Sequence, residues 1–302
     1  RMEKEGYSRE FSAAINITSS TTGLVIPPSN ILIVYSLASG GASIAALFLA
    51  GYIPGIITGL MLMTVAVIWA KRKGFPTGRR STFKETSRAF VRAFPSLLLL
   101  VVVIGGIVVG IFTATEASAV AVLYCLILAY FYREVKTKDL PSILINSVGT
   151  TAIVTLLIAT SISMSWVMSY ENIPQQITDL LLGISDNKIV ILFIINLTLL
   201  FVGIFMDMTP AVLIFTPIFL PVVTKIGIDP VHFGIIMVMN LCIGVCTPPV
   251  GSVLFIGVGV AQTTIQKVIK PLLPLFLAML LALMLTTYIP ALSMWLPGLF
   301  GF

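Results

Sequence analysis

The sequence predicts an all-α protein that crosses the membrane several times. Of its 302 residues, 58% are hydrophobic and only 10% are charged, whereas a soluble domain carries roughly 25% charged residues. The mean hydropathy is +1.07, and apolar runs near the length that spans a bilayer recur along the chain. This composition excludes a disordered chain, and no basic, aromatic-rich module for nucleic acid is present.

Seven membrane crossings are predicted from the apolar runs. They lie at residues 11–38, 44–70, 95–114, 117–132, 143–168, 232–262 and 271–290. The apolar region 188–223 does not fit a single crossing, because Asp207 lies at its centre and Pro210 follows soon after. We interpret this region as a re-entrant hairpin that enters and leaves on one side, with Lys188 and Lys225 at its two ends.

The distribution of basic residues predicts the orientation of the chain. If the N-terminal end lies in the cytoplasm, the inner segments hold every Lys and Arg except Lys188 and Lys225. This bias follows the positive-inside rule and places the C-terminus in the periplasm, with a tail at residues 291–302. No basic residue is then left within the membrane.

The inner segment 71–94 is predicted to hold a cytoplasmic linker and an amphipathic helix. Over residues 81–94, three rings share one helical face and three basic residues repeat at every fourth position on another: Phe83, Phe90 and Phe94, and Lys84, Arg88 and Arg92. Such a helix is typical of the inner membrane interface. A plain cytoplasmic connector is the alternative.

Two segments of the sequence match without a gap at an offset of 221 residues. The matched pairs are Lys4 with Lys225, Gly6 with Gly227, Gly23 with Gly244, Pro27–Pro28 with Pro248–Pro249, and Ile44 with Ile265. In the predicted topology the first copy runs outward and the second inward, so the repeat is inverted. Inverted repeats with broken helices are typical of secondary transporters, whose sites lie near the membrane midplane.

The repeat predicts four parts of the chain. Residues 1–70 are the remainder of the first repeat, a broken helix with the following span, and residues 71–94 are the linker and interfacial helix. Residues 95–290 are the second repeat, with scaffold spans, the hairpin 188–223, the broken helix 232–262 and a last span. Residues 291–302 are the tail. A hairpin equivalent to 188–223 is expected before the first broken helix, outside this sequence.

Each Pro-Pro pair predicts a break in its helix, because consecutive prolines remove two backbone donors and clash with the preceding turn. Carbonyl oxygens freed before Pro27 and Pro248 suit a hard cation such as Na⁺. The half-helix that restarts after each break offers its N-terminus to an anion. A proline kink satisfied by neighbouring helices is the alternative, but the presence of two breaks at inverted positions favours an ion site.

Two carboxylates lie near membrane depth in this topology, where an acidic residue is a functional-site hypothesis. Asp207 is predicted at the hairpin turn, with Thr209 as the N-cap of the second arm and Pro210 at its first position. Since Thr209 could cap that arm, Asp207 is predicted to have a functional role, and the alternative is that Asp207 only caps the arm. Glu116 has the capping-box spacing with Thr113, so its carboxylate is predicted to be satisfied locally.

Catalysis is not predicted. The chain has no H-E-x-x-H, G-x-S-x-G or P-loop motif. Its single histidine, His232, is interpreted as a helix-start residue in an outer loop. The three cysteines lie in apolar runs and predict neither a disulfide framework nor a metal site.

Four motifs, spread in order along the whole chain, resemble the large membrane subunit of tripartite ATP-independent periplasmic (TRAP) transporters. They are SIAALFLAGYIPG at 43–55, GIFTATEASA at 110–119, IDPVHFG at 228–234 and TPPVG at 247–251. With Asn30 and Tyr35, the first break resembles the sialic-acid members more than the C4-dicarboxylate members.

This resemblance implies Na⁺-driven uptake of an organic carboxylate, either sialic acid, a similar sugar acid or a C4-dicarboxylate. It also implies a periplasmic substrate-binding protein, a small four-helix membrane subunit, a bacterial inner membrane and elevator-like movement, with Na⁺ as coupling ion and no cofactor. The Na⁺ and substrate site is then expected at Asp207, Thr209, Thr22, Gly23, Gly244 and Thr247, with Glu116, Ser20 and Asn30 as further candidates. A Na⁺/carboxylate symporter without a binding protein, a channel and a membrane anchor are the alternatives.

Overall fold

The computed structural model describes residues 2–75, 82–185 and 187–302, and the backbone alone of Lys4. Within these ranges the chain forms fourteen α-helices, two short 3₁₀ turns and no strand. It divides into two compact units. The larger comprises Arg1–Gly78 and Ser161–Phe302, and the smaller comprises Arg79–Thr160.

The first part of the larger unit is a broken helix followed by a long one. Its helices are α1 (Arg9–Ser20), α2 (Thr22–Val25), α3 (Asn30–Ala38) and α4 (Ile44–Lys73). The hydroxyl oxygen of Ser8 accepts the Phe11 N–H and so begins α1 as an N-cap. The chain bends by 50° between Arg9–Val25 and Asn30–Ala38, which confirms the predicted break.

The second part of the larger unit contains a helical hairpin and another broken helix. Its helices are α8 (Ile173–Ile184), α9 (Lys188–Phe205), α10 (Met208–Lys225), α11 (Pro230–Gly244), α12 (Ser252–Val260), α13 (Ile265–Tyr288) and α14 (Ala291–Leu299). The 221-residue offset reappears in the helix boundaries, because α1 and α11 begin at equivalent residues, as do α4 and α13. Both Pro-Pro peptide bonds are cis.

The hairpin consists of α9 and α10, each 18 residues long, or about 27 Å. Its two ends lie together, since the Nζ of Lys188 is 3.3 Å from the position that a Cβ on Gly227 would occupy. The Lys225 ammonium lies 3.9 Å from the Asp179 carboxylate at the same end. Helices α9 and α10 therefore form a helical hairpin whose ends lie together, and its re-entrant course stays a prediction.

The smaller unit is built from α5 (Phe83–Val108), α6 (Ala114–Phe131) and the first part of α7 (Leu140–Tyr170), whose residues 161–170 belong to the larger unit. The Tyr124 hydroxyl donates to the Pro95 carbonyl at 2.7 Å and joins α6 to α5. Among the described residues, the helices long and apolar enough to cross a membrane are α4, α5, α6, α7, α13 and the hairpin arms α9 and α10, and the bent pair Arg9–Val25 and Asn30–Ala38 would be an eighth span. The chain is thus an all-helical, multi-pass membrane protein.

Three predicted boundaries are wrong. The interfacial helix predicted to end at residue 94 and the span predicted to begin at residue 95 are one continuous helix, α5. Pro95 lies inside it, and a helix in the membrane tolerates proline. The last span begins at Ile265 rather than at residue 271, and Pro271 lies inside it. Residues 291–302, predicted as a tail, contain α14, which packs against α4. The predicted linker lies partly outside the described residues, at 76–81.

Candidate functional site

The two breaks lie against each other inside the larger unit. The Sγ of Cys242 is 3.8 Å from the Thr21 carbonyl oxygen, and α2 packs on α11. Thr21 and Cys242 are themselves equivalent residues of the two repeats, because 221 positions separate them. Two equivalent residues of the repeats therefore contact each other directly. A second equivalent pair, Thr58 and Met279, lines the same small cavity.

The first break presents hydroxyl oxygens and a helix N-terminus. Thr22 Oγ1 donates to the Ser19 carbonyl at 2.6 Å, and Ser20 Oγ donates to the Ile17 carbonyl at 2.8 Å. Because each hydroxyl proton is committed to the backbone, each oxygen keeps lone pairs for a cation. Ser20 also lines a groove of about 680 Å³ between α1 and α12.

Gly23 and Asn30 lie on the exposed side of the first break. No atom lies within 4 Å of the position that a Cβ on Gly23 would occupy. Asn30 is the first residue of α3, and the preceding Ser29 hydroxyl donates to the Leu24 carbonyl at 2.5 Å. Ser29 therefore gives α3 no side-chain cap, and the N-terminus of α3 keeps its positive end of the helix dipole.

The second break is more tightly closed than its sequence predicts. The carbonyl oxygen of Gly244, four residues before Pro248, accepts the Thr247 N–H at 2.8 Å. The Val245 carbonyl likewise accepts the Val253 N–H at 3.1 Å, because the chain turns back onto its own helix. The hydroxyl of Thr247 donates to the Ile243 carbonyl at 2.7 Å, so its oxygen remains able to bind a cation.

Gly244 has a packing partner that explains its lack of a side chain. A Cβ on Gly244 would lie 2.5 Å from the Cα of Gly203 on α9. The last turn of α9 is thereby held against the end of α11, which brings the hairpin tip beside the second break. Gly23, its equivalent in the first repeat, has no such neighbour among the described residues.

The N-cap residue of the second hairpin arm differs from the prediction. Helix α10 begins at Met208, so Asp207 and not Thr209 occupies the N-cap position. Aspartate is favoured there, and Pro210 fits within the first turn, where N–H groups lack intrahelical acceptors. The Asp207 carboxylate nevertheless makes no capping hydrogen bond. It is exposed and pairs with no basic group in the described ranges.

Glu116 lies in the smaller unit, where the predicted capping box is confirmed. Its carboxylate accepts the Thr113 N–H at 2.8 Å, and the Thr113 hydroxyl oxygen accepts the Glu116 N–H at 3.3 Å. The Thr113 hydroxyl also donates to the Glu116 carboxylate at 2.8 Å. The acid is therefore satisfied by its own helix start.

A buried polar network near the second break escaped prediction. Asn240 on α11 donates to Asn196 on α9 at 2.6 Å, and Asn196 donates to Thr287 on α13 at 3.1 Å. His232, predicted to be a helix-start residue, lies in the first turn of α11, where it is buried with Nδ1 2.6 Å from the Ser293 hydroxyl of α14. The sequence signal for the network was the presence of Asn196 and Asn240 inside apolar runs.

The part of the chain that the structure describes contains no group of three or more Asp, Glu, His or Cys side chains that could hold a metal ion. At the two breaks and the hairpin tip, as far as the structure describes them, the oxygens are neutral hydroxyls and carbonyls together with the Asp207 carboxylate. Such a set suits a hard monovalent cation better than a transition metal.

Both a family model and individual relatives match nearly the whole chain. The family model "Tripartite ATP-independent periplasmic transporter, DctM component" matches residues 1–292. The chain is 57% identical over 299 residues to the uncharacterized protein YgiK of Salmonella typhimurium, covering 99% of this chain and 69% of that protein.

Two further relatives carry names that state a substrate. The chain is 42% identical over 299 residues to the isethionate TRAP transporter permease protein DctMQ of Oleidesulfovibrio alaskensis, covering 98% of this chain and 47% of that protein. It is 37% identical over 300 residues to the sialic acid TRAP transporter large permease protein SiaM of Vibrio cholerae, covering 99% and 70% respectively. Sialic acid is thus one of several substrates named among the relatives.

Proposed function

Because this chain belongs to the DctM component family of tripartite ATP-independent periplasmic transporters, we propose that it carries out Na⁺-coupled uptake of an organic carboxylate. As a transporter permease it is not an enzyme. The proposed system includes a periplasmic substrate-binding protein and a small four-helix membrane subunit, in a bacterial inner membrane. The N-terminal end of this chain lies in the cytoplasm and its C-terminus in the periplasm.

The observation that carries this proposal is the set of helix termini at the breaks and the hairpin tip. Helices α3 and α10 pack against each other, and neither receives a side-chain cap at its N-terminus. Backbone N–H groups and the helix dipole at such ends attract an anion. A substrate carboxylate placed at Asn30 and Met208 would satisfy these ends.

The coupling ion has its own ligands in the same region. The Asp207 carboxylate is unpaired among the described residues, and an uncompensated carboxylate at membrane depth costs several kcal/mol. Na⁺ would neutralise it, and the hydroxyl oxygens of Thr22 and Thr247 offer further neutral ligands at the two breaks. Binding of the cation and of the anion would then support each other, which is the basis of symport.

The test is uptake by the complete three-component system in liposomes, with and without a Na⁺ gradient. A panel of sugar acids, C4-dicarboxylates and isethionate identifies the substrate. Asp207→Asn keeps the shape of the side chain but removes its charge, so we expect uptake to fall at least tenfold. Glu116→Gln, whose carboxylate is held by Thr113, serves as the matched control and should retain most activity.

Three outcomes contradict the proposal. Normal uptake and Na⁺ affinity in Asp207→Asn would show that the carboxylate is only a helix-start residue. Undiminished uptake without the binding protein would favour a stand-alone symporter. A non-saturating current would indicate a channel.

A further inference from the structure

The first three turns of α5 carry a basic stripe made of Lys84, Arg88 and Arg92. Because these residues repeat at every fourth position, they lie within about 80° of one another around the helix, with about 6 Å between successive residues along its axis. All three are exposed. The rings of Phe83, Phe90 and Phe94 project from another face, about 140° away, so the two groups do not mix.

The charges of the basic stripe are free within the described residues. None of the three makes an ion pair there. The nearest acid on this part of α5 is Glu85, and its carboxylate accepts the Thr82 N–H at 2.8 Å in a capping box. The helix therefore begins with three unpaired cations and one acid that is already engaged.

The position of the stripe along α5 matches the depth of lipid phosphates. The segment from Arg92 to Val108 is about 25 Å long, slightly shorter than the hydrocarbon core of about 30 Å. Arg92 therefore lies at the edge of the hydrocarbon, where its long side chain reaches outward. Arg88 and Lys84 follow at steps of about 6 Å through the headgroup layer.

We propose that the basic stripe binds the phosphate groups of anionic phospholipids, phosphatidylglycerol being the simplest case. Charge complementarity carries this assignment, since anionic headgroups are the acidic groups present at that depth in a bilayer. The continuity of α5 through Pro95 gives the stripe a fixed height, because the same rigid helix both crosses the membrane and presents the cations. This inference does not depend on the transported substrate.

The experiment measures lipid retained by the complete protein, using native mass spectrometry with phosphatidylglycerol and phosphatidylcholine as probes. The stripe variant replaces Lys84, Arg88 and Arg92 by Gln. We expect its phosphatidylglycerol affinity to fall about 100-fold, because each basic residue near the membrane surface contributes about fivefold. Phosphatidylcholine binding should not change.

The matched control replaces Lys71, Arg72 and Lys73 by Gln. These residues are also basic and exposed at the end of α4, but as consecutive residues they point about 100° apart and form no stripe. The control removes the same charge and should keep phosphatidylglycerol bound.

Equal loss in both triple variants would overturn the proposal, because binding would then follow net charge alone. Unchanged binding in the stripe variant, or displacement of the lipid by inorganic phosphate, would also overturn it. If the triple stripe variant fails to fold, Arg88→Gln should lower affinity about fivefold, while Arg88→Lys should retain it. An Arg88→Gln variant with wild-type affinity would contradict the assignment.

Discussion

The contact between Gly203 and Gly244 predicts a large difference between two glycines that the repeat makes equivalent. A Cβ on Gly244 would lie 2.5 Å from the Cα and 2.6 Å from the carbonyl carbon of Gly203. Ordinary carbon contacts are about 3.5–4.0 Å, so α9 and α11 would have to separate by about 1 Å. Gly23 in the first repeat has open space at the corresponding position.

The expected magnitudes follow from this geometry. Overpacking of a well-filled contact costs about 1–3 kcal/mol, and the opposing atoms here are backbone, which cannot rotate away. Replacing a glycine by alanine inside a helix raises the free energy of unfolding by roughly 0.5–1 kcal/mol. At Gly23, where no atom opposes the new Cβ, this gain is the only effect expected. Gly244→Ala should therefore destabilise the protein by about 1–2 kcal/mol net, and Gly23→Ala should stabilise it slightly.

The assay is thermal unfolding of the purified protein in one detergent. Gly203→Ala should be intermediate, because its Cβ would lie 3.0 Å from the Cα of Gly244 and 3.4 Å from the Cα of Leu241. We expect the melting temperature to be highest for Gly23→Ala, lower for Gly203→Ala and lowest for Gly244→Ala. Equal losses at Gly23 and Gly244, or an unaltered Gly244→Ala protein, would refute the packing argument.

Three further predictions test other parts of the structure. Single cysteines at Lys188 and Lys225, in a chain without its native cysteines, should both react with an impermeant reagent from one side of the membrane; labelling of only one would contradict the hairpin. Asn240→Leu should cost about 1–3 kcal/mol in thermal unfolding by leaving the Asn196 oxygen unpaired. Adding Asn196→Leu should cost less than the sum of the single changes, and strict additivity would show that the amides do not interact. Glu116→Gln should change the melting temperature less than Asn240→Leu, since its exposed side chain still accepts at the helix start.

Features with a local cause could be predicted from the sequence. The Pro-Pro pairs forbid continuous helices, and both breaks occur where they stand. Thr113 and Glu116 contain their own capping geometry within four residues. The hairpin followed from prolines and a carboxylate inside an apolar run, and its ends meet at Lys188 and Gly227 as expected.

Features that depend on distant partners could not be predicted in the same way. Asp207 and Thr209 are both favourable caps, and local sequence does not distinguish between them. Helix α14 is stabilised by packing on α4, more than 200 residues away in sequence, so its short run of residues resembled a tail. The amides of Asn196 and Asn240 find each other only when α9 and α11 lie side by side.

The placement of Gly244 also changes the interpretation of the site. Gly244 was expected in the Na⁺ and substrate site, and the space beside its Cα is filled by α9. A bulky residue at Gly244 therefore disrupts packing whatever the ion does. The proposed cation site is therefore better tested at Asp207, Thr22 and Thr247, whose oxygens remain available.

The meeting of Thr21 with its own repeat partner, Cys242, has a geometric consequence for any alternating-access cycle. If the two repeats exchange conformations between the inward-open and outward-open states, every contact between them is replaced by its symmetry mate. The hydrogen bond from Tyr35 to the Pro230 carbonyl, at 2.6 Å, would then be broken. Thr21 and Cys242 exchange places under this symmetry, so the residue pair maps onto itself although the atoms in contact change. The pair is the fixed point of the exchange, and the distance between its two Cα atoms should be the same in both states.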